Sequence, residues 1–491
     1  MSRPFARALF LVLSCTALAC ARAEETAAAP APALTIDACI ARAMQKNFDL
    51  KIQSYSTDIA KEALNVANTV FEPTLTAATT RTLTQTSAAL GPALRSDFTD
   101  TRVGVQQVIP SGATINLTTT LDRSAYSPAV STFNPSFNSD VAINISQPLL
   151  KGAGSTVTRA GIERYRLGVT IANLYYRGKI LQVIHDTEAA YYNVVFARGQ
   201  LGVKLHSLDL AEKLLEENKT RKLTGVATDL DVLSAEVGVA NARNGVLLAR
   251  QSVHDTEDAI TALIGQFEFD HEVGAVALPN YEEAVPTFAR TYQLARDNQP
   301  DYVATQENIK QLEIDATTAK NGSLPTLNLG GTLGFNGTDH SYGSAIGNVP
   351  NGDGYNWQVD LSLSVPWGLH ADKARYRSAM ASLHQQQAHL QQLEQNLMVS
   401  VRTAVRAVET NRQSVDIFAK ATELAGRQYE LELARFKAGL STSRQVLQTQ
   451  DDLEAARVNE LQARVNLRTA VANLHQLDST SLARYHIALA E

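Results

Sequence analysis

Long stretches of the chain place apolar residues three or four positions apart, which is the spacing of one face of an α-helix. The spacing runs through two tracts without proline, residues 151–278 and 367–491, both rich in residues that favour helix. The apolar positions are Ile180, Ile184, Tyr191, Val194, Leu201, Leu205, Leu208 and Leu215 in the first tract, and Leu390, Leu397, Val401, Ala404, Val408 and Val415 in the second. This pattern predicts helices that pack along their length, as in coiled coils. The run from 155 to 222 would be on the order of 100 Å long, too long for a compact core.

Shorter segments before each tract alternate apolar with polar residues, which is the period of a β-strand. Their apolar positions are Ile115, Leu117 and Leu121; Val141, Ile143 and Ile145; Leu327, Leu329, Leu333 and Phe335; and Trp357, Val359, Leu361, Leu363 and Val365. We expect strands of roughly nine to eleven residues, long enough to cross a bilayer when tilted. A soluble β-sandwich with one wet face is an alternative. The opposite face is mainly Thr, Ser, Asn and Gly, which favours a water-filled lumen, and Trp357 and Trp367 stand where interfacial aromatic residues belong.

The sequence also repeats itself. Gly225 and Gly439 lie 214 residues apart, and the segments around them match. The matches include Arg221 with Arg435, Thr228 with Thr442, Val232-Leu233 with Val446-Leu447, and Ala242-Arg243 with Ala456-Arg457. The front ends align at a spacing of 252 residues, through Pro73-Thr74-Leu75 and Pro325-Thr326-Leu327. We therefore expect two repeats, residues 34–280 and 281–485, each made of a helix, strands, a long helix, a turn and a second long helix.

The N-terminus carries an apolar stretch of 13 residues, 8–20, which follows two arginines and is too short to span a bilayer. It predicts a signal peptide, residues 1–23, cleaved after Ala23. Lipidation of Cys20 is a second interpretation, and either one predicts an exported protein. Cys39 is then the one thiol in the body of the chain, so we expect no internal disulfide and no cysteine-based metal site.

Composition and the absence of catalytic motifs argue against several classes of protein. Lys and Arg total 44 against 50 Asp and Glu, a net charge of −6, so no basic excess exists to bind a nucleic-acid backbone. The 44% apolar content argues against global disorder. The chain contains no H-E-x-x-H, G-x-S-x-G or G-x-x-x-x-G-K-[ST] motif. We therefore expect no catalytic residue, cofactor or metal site, and no enzyme activity.

Residues 434–442, Ala-Arg-Phe-Lys-Ala-Gly-Leu-Ser-Thr, with the following Val446-Leu447 and Ala455-Ala456-Arg457, resemble the C-terminal signature of TolC-type outer-membrane efflux proteins. Residues 34–38, 47–50 and 147–152 (Gln-Pro-Leu-Leu-Lys-Gly) are similar to the same family. The resemblance implies an α+β membrane channel, in which a trimer shares one outer-membrane β-barrel that continues into a long periplasmic α-helical barrel. It also implies the exit channel of a tripartite efflux or type I secretion system, with a periplasmic adaptor and an inner-membrane pump or exporter as partners.

Elementary physics leads toward the same assembly. A chain with a handful of amphipathic strands cannot close a water-filled barrel alone, because free strand edges are not tolerated in lipid. Several copies must share the barrel, and the same oligomer supplies lateral neighbours for the long helices.

The first repeat has 38 more residues than the second between its first strand and its long helix, the size of one extra hairpin. Residues 101–109 and 113–121 around Pro110-Ser111-Gly112 supply it. Long connections at 87–97 and 122–140 then alternate with this short turn, as in outer-membrane barrels. We expect six strands per chain and 18 per trimer, against the four and 12 usual in the family. A hairpin outside the barrel wall is the alternative.

The helix–helix turns are the candidate functional site. We expect Gly225 and Gly439 to end long helices with positive φ, and Thr228 and Thr442 to start the next ones. By resemblance, these turns form the periplasmic tip, with Thr224-Gly225-Val226-Ala227 and Ala438-Gly439-Leu440-Ser441 as the adaptor-docking turns.

The resemblance also implies a pore gate. Asp231 matches a gate aspartate of the family, with Asp229 beside it. In the second repeat, the positions of the family's selectivity aspartates are Gln445 and Gln448, and a gate arginine is replaced by Ser441. These departures put a gate of the usual charged form in doubt. The alternative for Asp229 is support of a helix N-terminus through the macrodipole.

Two other classes of protein stay open. An exported coiled-coil adhesin or scaffold would explain the helices but not the alternating strands. A soluble periplasmic enzyme is supported by no motif.

Overall fold

The computed structural model describes residues 34–87, 93–129, 132–265, 267, 274–278 and 287–487. The predicted signal peptide, Cys20 and the boundary between the expected repeats at 280 and 281 lie outside these residues. In the part of the chain that is described, no helix combines the length and apolar character needed to cross a membrane.

Eleven helices and six strands make up the described chain. The helices are α1 (Ile36–Lys46), α2 (Phe48–Asn68), α3 (Ser155–Thr158), α4 (Ala160–Leu223), α5 (Asp229–Ile264), α6 (Phe288–Asn298), α7 (Pro300–Gly322), α8 (Tyr342–Asn348), α9 (His370–Lys437), α10 (Ser443–Leu477) and α11 (Ser481–Arg484). The strands are β1 (Thr74–Thr86), β2 (Leu94–Val108), β3 (Thr114–Ser127), β4 (Ser136–Pro148), β5 (Thr326–Asp339) and β6 (Gly354–Ser364).

The two halves of the chain run through the same series of elements. Two short helices lead into strands, the last strand leads into a helix of 64 residues (α4) or 68 residues (α9), and a turn leads into a helix of 36 or 35 residues. The long helices match the two proline-free tracts, so the 3–4 apolar spacing predicted them correctly. At 1.5 Å per residue, each is about 100 Å long.

The strands form one antiparallel sheet in the order β1-β2-β3-β4-β5-β6. The expected extra hairpin is therefore part of the sheet, with β2 and β3 between β1 and β4, and its place in a barrel wall stays a prediction. Its turn lies at the helical end, where Ser111 Oγ donates to Gln147 Oε1 (2.9 Å) and Gly154 N donates to the Ser111 carbonyl (3.0 Å).

The strands are longer than expected, with 11 to 15 residues instead of nine to eleven. Most of the extra residues are polar: β2 begins at Leu94 and β3 ends at Ser127, inside segments expected to be loops. Arg81 on β1 and Arg123 on β3 both bind Asp97 on β2, at Nη2–Oδ2 and Nη1–Oδ2 distances of 2.8 and 3.4 Å. Backbone pairing and these ion pairs continue the sheet beyond the point where the apolar alternation stops.

The strand register gives the sheet one apolar and one polar face. Leu117 lies between Val105 and Ile143, and Ile143 pairs with Leu333 and Leu333 with Trp357. We call this side, which contains the odd-numbered residues of all six strands, the apolar face. Its large side chains are exposed within the chain, including Leu75 (70%), Trp357 (70%) and Val359 (68%). The even-numbered face is lined mainly by Thr, Ser, Asn and Gln.

The helices pack side by side in one layer. α4 packs against α5 and α10, and α10 packs against α9; near the sheet, α2 packs against α4, and α7 lies between α4 and α9. The layer thus has α2 and α5 at one edge and α9 at the other.

The largest buried cluster lies where α1, α4 and α5 meet the segment after α11. Ile180, Ile184 and Val194 are fully buried there, and Tyr485 donates a hydrogen bond to the carboxylate of Glu188, which is 3% exposed. Burial raises the pKa of Glu188, and the Tyr485 hydrogen bond opposes that rise. This cluster holds the C-terminal segment against the middle of α4.

Candidate functional site at the helix tips

Two turns join the long helices at the end of the layer opposite the sheet, and we call them the tip turns: residues 224–228 and 438–442. Gly225 has φ +76° and Gly439 has φ +77°, the left-handed conformation that glycine adopts without strain. The Val226 N–H donates to the Arg221 carbonyl (2.9 Å), and the Leu440 N–H donates to the Arg435 carbonyl (2.8 Å). These bonds close the last turn of each long helix, as a Schellman motif does. The prediction of two glycine-terminated helices is confirmed.

Each following helix begins with a capping box. The Thr228 side chain accepts a hydrogen bond from Asp231 N (3.2 Å), and the Asp231 carboxylate accepts one from Thr228 N (2.9 Å). In the second repeat, Thr442 and Gln445 form the same pair, at 3.3 Å in both directions. Thr228 and Thr442 are therefore the N-caps, as predicted.

Two of the four predicted gate residues, Asp231 and Gln445, are capping residues in the structure. Asp231 and Gln445 occupy equivalent positions, and each uses its side chain on its own helix start. The hydrogen bonds from Thr228 hold the pKa of Asp231 below its usual range, so the carboxylate stays ionised. The sequence signals for these capping boxes are Thr-x-x-Asp at residues 228–231 and Thr-x-x-Gln at residues 442–445.

The other two predicted gate residues lie on the surface. Asp229 is the first residue of α5, its side chain is 87% exposed, and its carboxylate pairs with Lys222 at the end of α4. Gln448 donates to Asp452 one turn further along α10 (3.2 Å). An acidic residue in the first turn also fits the helix macrodipole, as the alternative for Asp229 supposed.

The two tip turns are connected to each other within one chain. Arg221, in the last turn of α4, donates to the Phe436 carbonyl (2.6 Å) and lies over the Phe436 ring, 4.4 Å from its centroid. Asn218 donates to Ser443 Oγ (3.0 Å), and both residues are about 99% buried. The Arg221 guanidinium therefore makes a charge-assisted hydrogen bond and a cation–π contact with Phe436, and Asn218 and Ser443 add a hydrogen bond between neutral groups. The sequence did not predict these contacts, because they join residues more than 200 positions apart.

Ser441, which replaces a gate arginine of the family, has local partners. Its hydroxyl lies within hydrogen-bond distance of two acceptors, Gln445 Oε1 (2.9 Å) and the carboxylate of Glu432, and can donate its one proton to either. The Glu432 carboxylate also pairs with Arg435 (3.1 Å). Ser441 thus connects the second tip turn to the end of α9 and the start of α10.

The tip turns and the helix ends beside them present large apolar side chains to solvent. Leu223 is 89% exposed, Val226 65%, Leu230 70% and Leu440 71%. Apolar groups so exposed at the end of a rod are typical of a surface that meets another protein. The described residues bring no group of three or more His, Cys, Asp or Glu together that could hold a metal ion.

The comparisons with known proteins agree with this architecture. The family model of outer membrane efflux proteins matches residues 40–266 and again residues 291–480. The outer-membrane channel OprN has a TM-score of 0.70 at 16% identity, covering 90% of this chain and 89% of its own. The Campylobacter jejuni CmeC outer membrane channel has 0.69 at 16%, covering 93% and 90%, and the Vibrio cholerae outer membrane protein VceC has 0.67 at 14%, covering 90% and 95%. At these identities the likeness shows the fold. No curated protein sequence matches the chain significantly.

The two capping boxes predict different responses to acid. Because the pKa of Asp231 is lowered in the folded protein, its stabilising effect is complete above the usual aspartate pKa of about 4 and is lost as pH falls through the lower folded value. Gln445 does not titrate. We expect amide protection in the first turn of α5 to fall below about pH 4 while protection in the first turn of α10 stays, as measured by hydrogen exchange. Asp231→Gln should abolish the difference, and an equal loss at both helices would contradict this account.

Proposed function

The chain belongs to the outer membrane efflux protein family, and on that premise we propose that three copies form the passive exit channel of a tripartite efflux or type I secretion system. As a member, it is an outer-membrane protein that extends into the periplasm. Beyond family and location, we propose a trimer, an inner-membrane pump or exporter that drives transport, and a periplasmic adaptor that joins this pump to the channel.

The open sheet is the observation that carries this proposal. Among the described residues, β1 and β6 pair with a neighbour on one side only, and the apolar face leaves side chains such as Trp357 and Leu361 about two-thirds exposed. Unpaired backbone in lipid costs several kcal/mol per group. If β1 of one copy pairs with β6 of the next, three copies close a barrel of 18 strands, with the apolar face toward lipid and the polar face toward water.

The helical layer supports the same closure. Exposed apolar side chains lie on α2 and α5 at one edge and on α9 at the other. They are Ile52, Tyr55, Ile59 and Val66 on α2; Leu230, Leu233, Val237, Leu247 and Leu248 on α5; and Val399, Ile417, Leu424 and Leu431 on α9. Different surfaces at the two edges fit a head-to-tail ring, in which α2 and α5 of one copy pack on α9 of the next. Such a ring encloses a tunnel below the barrel.

The tip turns are the proposed docking surface for the periplasmic adaptor. Thr224, Gly225 and Val226 form one turn, and residues 438–441 (Ala438, Gly439, Leu440 and Ser441) form the other. Val226 and Leu440 are the exposed apolar side chains that an adaptor would cover. The tip lies farthest from the sheet, which is where a partner from the inner membrane would arrive.

The first prediction tests the export role. Deleting the gene should sensitise cells to exported toxic compounds or stop secretion of a polypeptide, because the channel supplies the step across the outer membrane. The measurements are growth inhibition over a broad compound panel and the secreted proteome. Unchanged sensitivity together with an unchanged secretome would contradict an export role.

The second prediction tests the 18-strand barrel. A cysteine at Ser111, in the β2–β3 turn, should react with a membrane-impermeant thiol reagent supplied in the periplasm and not at the cell surface. A cysteine at Ser344 on α8, at the other end of the sheet, should show the opposite pattern. Surface labelling at Ser111 would contradict the arrangement.

The third prediction concerns the gate. If Asp229 and Asp231 of three copies converge, six carboxylates ring the tip opening and favour cations. Asp229→Asn with Asp231→Gln removes these charges and keeps the capping geometry seen at Gln445, so the trimer should fold while its cation-to-anion permeability ratio falls in planar bilayers. Thr228→Ala is the matched control: it removes the cap, at a cost of about 1 kcal/mol, and keeps both charges. Equal ratios for wild type and the charge-free variant would end the ring hypothesis.

A further inference from the structure

The charged side chains on the apolar face of the sheet are gathered at one end. Among the described strand residues of this face they are Arg81, Arg95, Asp97, Arg123 and Asp339. All of them lie toward the end of the sheet that is remote from the helices. At the helical end the same face carries Leu75, Gln107, Ile115, Gln147, Leu327 and Leu363, which are all uncharged. The two borders of the apolar band therefore differ in charge.

Three of these side chains are arginines on neighbouring strands, and we call Arg81, Arg95, Asp97 and Arg123 the arginine cluster. Arg81 and Arg123 both lie level with Thr99, one on each side of β2, and Arg95 lies four residues beyond Thr99 on the same strand. With Asp97 as its one acid, the cluster has a surplus of two positive charges in a chain of net charge −6. Asp339 lies apart on β5, where it accepts from His340 N (2.6 Å).

Asp97 holds two of the guanidinium groups in place without covering them. Arg81 donates from Nε and Nη2 to its two carboxylate oxygens (2.9 and 2.8 Å), and Arg123 adds a third bond (3.4 Å). The Arg81 side chain is still 67% exposed, and that of Arg123 is 31% exposed. A carboxylate that orients two arginines and leaves net positive charge facing outward resembles a prepared anion site more than a closed ion pair.

The position of the cluster indicates which anion it meets. It borders the apolar band directly, since Leu121 and Val141 lie on the same face two residues nearer the helices than Arg123 and Ser139. A group at that height outside the barrel meets lipid headgroups of the leaflet that faces away from the periplasm. Guanidinium groups bind phosphate oxygens in a fork, and basic side chains at a membrane surface attract anionic lipid.

We propose that the arginine cluster binds the phosphate groups of an anionic lipid in the outer leaflet of the outer membrane. The cluster would fix the height and rotation of the barrel in the membrane, and each copy would carry one such site. This goes beyond the export role, and it rests on the proposed arrangement in which the apolar face of the sheet meets lipid and the helices extend into the periplasm.

The test is lipid binding by the full-length protein purified in detergent, followed by native mass spectrometry. The probes are bis-phosphorylated lipid A and the same lipid with its phosphates removed. We expect the phosphorylated lipid to bind at least roughly tenfold more tightly, and the preference to weaken as salt rises. Equal binding of the two lipids, or a preference insensitive to salt, would overturn the proposal on the wild-type protein alone.

Variants locate the site. Arg81→Gln with Arg123→Gln should remove the preference, whereas Arg81→Lys with Arg123→Lys should keep part of it. Arg102→Gln is the matched control, because Arg102 lies on β2 on the polar face, where it pairs with Asp100 (3.0 Å). A preference that survives in the double-glutamine variant, or that is lost equally in the Arg102 control, would overturn the assignment.

Competition with inorganic phosphate separates a lipid site from a site for free anions. Full competition by millimolar inorganic phosphate would also overturn the proposal, since it would indicate a site for free anions. None of these readouts depends on export.

Discussion

The unpaired backbone along β1 and β6 is the constraint on which the rest of the structure depends. Within the part of the chain that the structure describes, each of these strands has backbone partners on one side only, and one face of their sheet is apolar and exposed. In water, the free backbone groups of the edges could form hydrogen bonds, but the apolar face would stay exposed. In lipid, the apolar face would be covered, but the free backbone groups would have no partners. Closure with further copies satisfies both. The different edges of the helical layer and the side-by-side packing of α4, α10 and α9 are consistent with the same ring.

The two tip turns have the same backbone conformation but differ in one capping side chain. Both turns use a glycine with positive φ and a threonine N-cap, which keeps the backbone of the two hairpins equivalent. The third residue of the helix after each turn is Asp231 in the first half and Gln445 in the second. The capping geometry is the same, but only the first half has a charged capping side chain. Arg221, which stacks on Phe436 and binds its carbonyl, then ties the two unlike turns together.

Local patterns predicted most of the architecture, because helix spacing, strand alternation and turn glycines depend on neighbouring residues. The long helices, the six-stranded order and the caps at Thr228 and Thr442 all follow from such patterns. Strand ends were less predictable: alternation stops where apolar residues stop, whereas the ladder continues through pairs such as Arg81 with Asp97. Contacts such as Asn218 with Ser443 depend on how α4 sits against α10, and no local pattern encodes that register. The functional role of Asp229 depends on neighbouring copies and remains a prediction.

The most direct test is an electron-microscopy reconstruction of the full-length protein, extracted from outer membranes and held in lipid. The account predicts three copies around one axis, with β1 of each copy paired to β6 of the next, the β2–β3 hairpin inside the barrel wall, and a continuous helical tube below it. A monomer or dimer with free strand edges would contradict the account. So would a closed ring of fewer strands that leaves this hairpin outside the wall.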